Sequence, residues 1–230
     1  MNTAAPSATP AINRRLLVVM TLVLAAVFFA GFAHSYYLRP WFAQRRVLPW
    51  VVHAHGMLMT GWVALFVVQV VLAYRRRLDL HRSLGVIGAY LAPLAVALGE
   101  FVVVRGIRLR FPTASLGQSL LLFVAFDGVN LLVFAALAGS ALWLRSQADL
   151  HKRLMLLAVV STLPPALGRI AALAGSEHGE LFVLVSMVAV VGVCVGVDTV
   201  RHRRLHPAMA WGAAAILLSG LAAYAAQIAT

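Results

Sequence analysis

The chain alternates between apolar runs about as long as a bilayer is thick and short turns that carry nearly all of its Lys and Arg. A helix needs about 20 predominantly apolar residues to cross the hydrocarbon layer. The runs fall near residues 16–33, 51–74, 83–104, 116–144, 153–174, 181–199 and 207–228. They predict an all-α fold: an integral membrane bundle of about seven transmembrane helices. With 62% hydrophobic residues, 11% charged residues and a mean hydropathy of +0.91, a soluble domain of 230 residues could not hide the apolar surface.

Residues 1–13 are rich in Ala, Pro, Ser and Thr and read as a disordered cytoplasmic tail, leaving 14–230 as one transmembrane domain. Arg14-Arg15, the apolar run and Gly31-Phe32-Ala33 also match the three regions of a signal peptide. The run is long enough to span the bilayer, which favours an uncleaved first helix.

A formal charge of +12 in a soluble protein would point to nucleic acid. Here the cations sit in the turns, as membrane topology requires, and nucleic acid is set aside as a partner in favour of the lipid bilayer. Taking alternate turns with the N-terminus inside gives 12 Lys and Arg on the cytoplasmic side against six outside. The positive-inside rule then predicts a multi-pass protein of the cell inner (plasma) membrane, N-terminus in the cytoplasm and C-terminus outside. Cys194 is the only cysteine and lies in an apolar run, which excludes disulfides within the chain and thiolate clusters.

One phrase occurs twice: Asp79-Leu80-His81-Arg82-Ser83-Leu84 and Asp149-Leu150-His151-Lys152-Arg153-Leu154. The two histidines are 70 residues apart, and Ala97-Leu98-Gly99-Glu100 and Ala166-Leu167-Gly168-Arg169 keep nearly the same offset at 69. This spacing predicts two related helical hairpins forming a four-helix core within residues 50–175, with one imidazole at the mouth of a membrane helix in each. Residues 35–50, aromatic and basic, suit the headgroup layer.

Helical spacing sorts the remaining polar residues onto faces. His55, Met59, Trp62, Phe66 and Gln69 share a stripe on the second run. His81, Gly85, Gly88, Ala92 and Ala95 form a face of small residues on the third, suited to close helix packing or to a flat macrocycle. Pro164-Pro165 removes two backbone donors from the fifth run and predicts a kink facing a wet or occupied cavity. Glu100, Asp127 and Arg169 are charges well inside predicted spans, where such residues face partners or cavities. With His53, His55 and Asn130 they are expected to form a polar cluster toward the outer face, Glu100 coupled to Arg169.

His55-Gly56-x-Leu58-Met59 followed by Trp62, and Leu80-His81 opening the next helix, resemble the start of the four-helix core of the cytochrome b-561 family of diheme membrane reductases. His-Lys-Arg-Leu-Met and His-Arg-x-Leu-Gly helix starts also resemble uncharacterised bacterial multispan families, some tied to respiratory-oxidase assembly. The diheme resemblance implies that His81 and His151, on the second and fourth core helices, hold one heme b, with Arg82 and Lys152 beside them for its propionates. The other ligand pair departs from the family pattern, because the fourth run carries Asp127 where a partner for His55 would be sought.

Two functions follow. One is a b-type electron carrier working between a cytoplasmic donor or quinol and an outer redox partner, with the outer polar cluster taking protons. The other is a cofactor-free membrane protein, acting in respiratory-complex assembly or in small-solute, ion or proton transport. In a version of the second, His53 and His55 bind an outer metal ion. No catalytic nucleophile is evident.

Overall fold

The structure, a computed structural model, describes residues 10–42, 47–126 and 128–229, with side chains from Arg15 onward. The described residues form helices α1 (Pro10–Phe32), α2 (Trp50–Tyr74), α3 (Leu78–Arg110), α4 (Leu116–Ala125), α5 (Gly128–Trp143), α6 (Ala148–Val160), α7 (Pro164–Leu173), α8 (Gly179–His202) and α9 (Pro207–Ala229), and no strand. Among the described residues six spans are long and apolar enough to cross a membrane, and there are seven if α4 and α5, which are bent by 59°, count together as one. The chain is an all-α, multi-pass membrane bundle.

Two of the expected spans are broken, each for a local reason. Pro164 and Pro165 have no N–H to give the preceding turn, so α6 stops at Val160 and α7 starts anew. The Ser161 and Thr162 hydroxyls turn back onto the Ala158 and Val159 carbonyls at 2.8 and 2.7 Å, supplying donors that hydrocarbon cannot. Between α4 and α5 the Phe123 ring fills the place of a side chain at Gly128, where a Cβ would lie 2.5 Å from ring carbons. The start of α4 is fixed by a reciprocal Ser115–Gln118 capping box.

At the N-terminus α1 begins at Pro10, so the helix takes in residues that composition assigned to the tail; residues 1–9 lie outside the described residues. Beyond Phe32 the helix runs on as a π turn (Ala33–Tyr37) and a 3-10 turn (Arg39–Phe42). Tyr36 donates to the His53 carbonyl at 3.2 Å, and the Tyr37 and Thr60 hydroxyls are 2.6 Å apart, tying this aromatic segment to the start of α2. Trp41 and Trp50 are exposed, as headgroup-layer rings should be.

Helix α2 packs on α3, α3 on α5, α5 on α6, and α1 on both α2 and α7; α9 covers α4, α5, α6 and α8. In the α6–α7 span 72% of the apolar window is buried, against 17 to 33% in the other spans, so this broken helix is the centre of the bundle and the rest face lipid. The small-residue face of α3 is buried at Gly88, Ala92, Ala95 and Gly99, and Trp62 meets Phe134 edge-on with centroids 5.2 Å apart. Close backbone approach also joins α1 to α7, where a Cβ on Gly31 would overlap the backbone of Ala166.

That contact gives a direct test of the packing. Gly31→Ala should lower stability by about 1 to 3 kcal/mol, the usual range for overpacking. Gly139→Ala, where a Cβ meets nothing within 4 Å, should be neutral or slightly stabilising. Thermal unfolding in detergent distinguishes the two, and equal midpoints would contradict the α1–α7 contact.

Candidate functional site

Each hairpin uses its repeated histidine in the same way. At the start of α3, His81 Nδ1 donates to the Gln69 carbonyl of α2 at 3.2 Å. At the start of α6, His151 Nδ1 donates to the Ala141 carbonyl of α5 at 2.8 Å. In both cases the acceptor is near the end of the preceding helix, so the short basic turn folds the imidazole back against its own hairpin. The two rings then meet across the bundle, with centroids 6.3 Å apart and planes at 89°. Because Nδ1 carries the proton in each ring, Nε2 is the nitrogen left with a lone pair.

The surroundings of this pair hold one orphaned group. Both side-chain atoms of Gln69 are buried without a hydrogen-bond partner, and a Cβ on Gly85, one turn on from His81, would meet only the Gln69 amide nitrogen at 3.7 Å. Of the two flanking cations, Arg82 is exposed and enters no ion pair among the described residues, whereas Lys152 is paired with Asp149 at 2.7 Å.

Helix α6 is anchored beside His151 by a network that the sequence reading missed. Arg153, counted there as a turn cation, is only 3% exposed and binds Asp198 of α8 at 2.8 Å and Asp149 at 2.5 Å. His202 Nδ1 lies 3.3 Å from Asp198, and His206 accepts from the Ala208 N–H at Nδ1 while its Nε2 faces Asp149 at 3.4 Å. The available signal was Asp198 itself, a carboxylate at the edge of an apolar run, where it needs a cation.

At the opposite end the expected outer cluster separates into two places. His55 packs against Gly99, its Cε1 2.8 Å from where a Cβ would be, and Glu100 follows on α3 with both carboxylate oxygens buried and unpartnered. Arg169 is elsewhere: it donates to the Pro165 carbonyl at 2.7 Å and lies over the Phe32 ring at 4.4 Å. The expected Glu100–Arg169 pair is therefore not formed, because α3 packs on α2 and α5 whereas α7 packs on α1 and α8. Matching positions in the two hairpins do not face each other. Asn130 is buried, accepts from the Ser219 hydroxyl at 2.8 Å, and shares with Arg169 a cavity of about 230 Å³ that Pro165, Glu180, Tyr224 and Gln227 also line. This is the cavity expected at the Pro164-Pro165 break. His53 points away from His55 toward Tyr36, ring centroids 5.7 Å apart, as positions two apart on a helix must, so the two do not form a common metal site. Asp127 lies outside the described residues.

The Arg153 network should be worth far more than its exposed counterparts. Removing one partner strands a buried charge, so Asp198→Asn should cost about 3 kcal/mol or more. Asp79→Asn, in an exposed pair with Arg77, should leave stability nearly unchanged. Thermal or denaturant unfolding measures both; similar losses would show that Arg153 is solvated in the folded protein.

No protein-family model, characterised protein or solved structure matches this chain.

Proposed function

We propose that the protein is a membrane-embedded b-type electron carrier in which His81 and His151 hold a single heme between the two hairpins. The observation that carries this reading is the geometry of the two rings. The two imidazoles, one from each hairpin, keep Nε2 unprotonated and stand close enough together that both would reach one metal ion. The observed separation is 6.3 Å. Each Nδ1–H is held by a backbone carbonyl, the outer support that fixes the tautomer of a ligating imidazole and raises its basicity. Heme b would supply a one-electron couple when bound, and His81 and His151 would be the residues that hold it, an arrangement suited to electron transfer.

The chain's own residues then have distinct tasks. Gln69, beside His81 with an unused amide, has a donor and an acceptor to offer a bound group. Arg82 is the cation available to a propionate, while Lys152 is already largely neutralised by Asp149. The Arg153–Asp198 pair holds α6, and with it His151, against α8. With Lys and Arg concentrated at this end, the topology rule places the pair on the cytoplasmic side of the inner membrane, facing a soluble donor or a quinol headgroup.

A second reading is favoured by the cavity at the broken α6–α7 span. One cation, one carboxylate and two amides converge there between helices, as they do where a carrier binds a small polar solute.

A visible spectrum separates the two readings. Detergent-purified protein from heme-replete cells should show one b-type heme per chain, lost in His81→Ala and in His151→Ala and kept in His34→Ala, whose ring instead meets Phe42 edge-on. A colourless, well-folded wild-type preparation would overturn the electron-carrier reading and leave the solute cavity as the functional site.

A further inference from the structure

Glu100 is a carboxyl group with nothing to offset a charge. Neither oxygen has a hydrogen-bond partner or solvent contact, and no ion pair among the described residues reaches them. A bilayer around the bundle deepens that isolation. An ionised carboxylate there would cost a few kcal/mol, so these surroundings favour the neutral, protonated form.

The neighbouring imidazole has the complementary deficit. The His55 ring packs against Gly99, and its Nδ1 is buried without a partner. A neutral imidazole whose proton sits on Nε2 keeps an unused lone pair at Nδ1. His55 also presses on Gly99, the residue next to Glu100, and any larger residue at 99 would collide with the ring. A buried, unpartnered carboxyl group thus follows directly along α3 the glycine on which a ring with a buried, unpartnered nitrogen is packed.

We propose that Glu100 and His55 form a proton-binding site at the end of the bundle remote from the His81–His151 pair. The Glu100 O–H bond breaks as an N–H bond forms at His55 Nδ1, through one bridging water, converting a neutral pair into a carboxylate facing an imidazolium; the reverse step restores it. The charged state stabilises itself by mutual attraction, which neither group alone has. Few other titratable groups compete. On α2, His53 turns outward to Tyr36; α4 and α5 carry none among their described residues; on α3, Arg105 is exposed. Asp127 lies outside the described residues. The site stands on these two groups and does not depend on heme.

The test is infrared spectroscopy of the full-length protein in lipid nanodiscs, with H/D exchange. At neutral pH the wild type should show a protonated-carboxyl C=O band that Glu100→Gln abolishes and Glu100→Asp merely displaces. Transfer to D2O should shift this band quickly in the wild type, and about tenfold or more slowly in His55→Gln, which keeps the bulk but cannot accept and pass the proton. Absence of the Glu100 band would show an ionised carboxylate, and unchanged exchange in His55→Gln would show that His55 takes no part. Either result overturns the proposal, whatever the visible spectrum shows.

Discussion

Hydrocarbon offers a polar group no water, so each polar atom inside this bundle must find a protein partner, keep its proton or meet a ligand. Most of the interior obeys the first option. Ser161 and Thr162 close the broken span onto carbonyls, Ser219 bonds Asn130, Gln227 donates to the Ala125 carbonyl, and Arg153 is matched by two aspartates. Apart from the hydroxyls of Thr21, Ser35 and Thr199, the exceptions are on two neighbouring helices: His55, Trp62 and Gln69 on α2 and Glu100 on α3 each keep a buried atom without a partner. Those residues lie beside the histidine pair at one end and the contact of His55 with Gly99 at the other, away from the cavity at the broken α6–α7 span.

The duplicated hairpin explains why the two ends differ. In both hairpins the histidine at the second helix's start reaches back to a carbonyl of the first, and this shared construction brings the imidazoles together with their planes at 89°. Past that end the halves diverge. Helix α3 runs for 33 residues without a break despite Pro93, whereas Pro164-Pro165 splits its counterpart and turns Arg169 toward α1 and the cavity. One hairpin therefore ends in a buried acid and the other in a guanidinium stacked on a ring.

How much of this could be read from the residues alone depended on how local the signal was. Apolar run length located every span, and the stripe on α2 and the small face on α3 were legible because both follow helical periodicity. The paired histidines were legible because a repeat was written twice. Pairings across non-neighbouring elements were not. Glu100 and Arg169 match in sequence offset, but offset says nothing of which helices touch, and Arg153 with Asp198 depends on α6 meeting α8. The bend between α4 and α5 was missed because Gly128 marks it only through its contact with Phe123.

If His81 and His151 are a ligand pair, their mutual orientation allows a direct measurement. Electron paramagnetic resonance of the oxidised protein reads both the spin state and the relative orientation of axial imidazoles. Planes near the observed 89° predict a single, highly anisotropic low-spin ferric signal, accounting for one iron per chain. A high-spin signal, a low-spin signal of parallel imidazoles, or no ferric heme signal at all would contradict it.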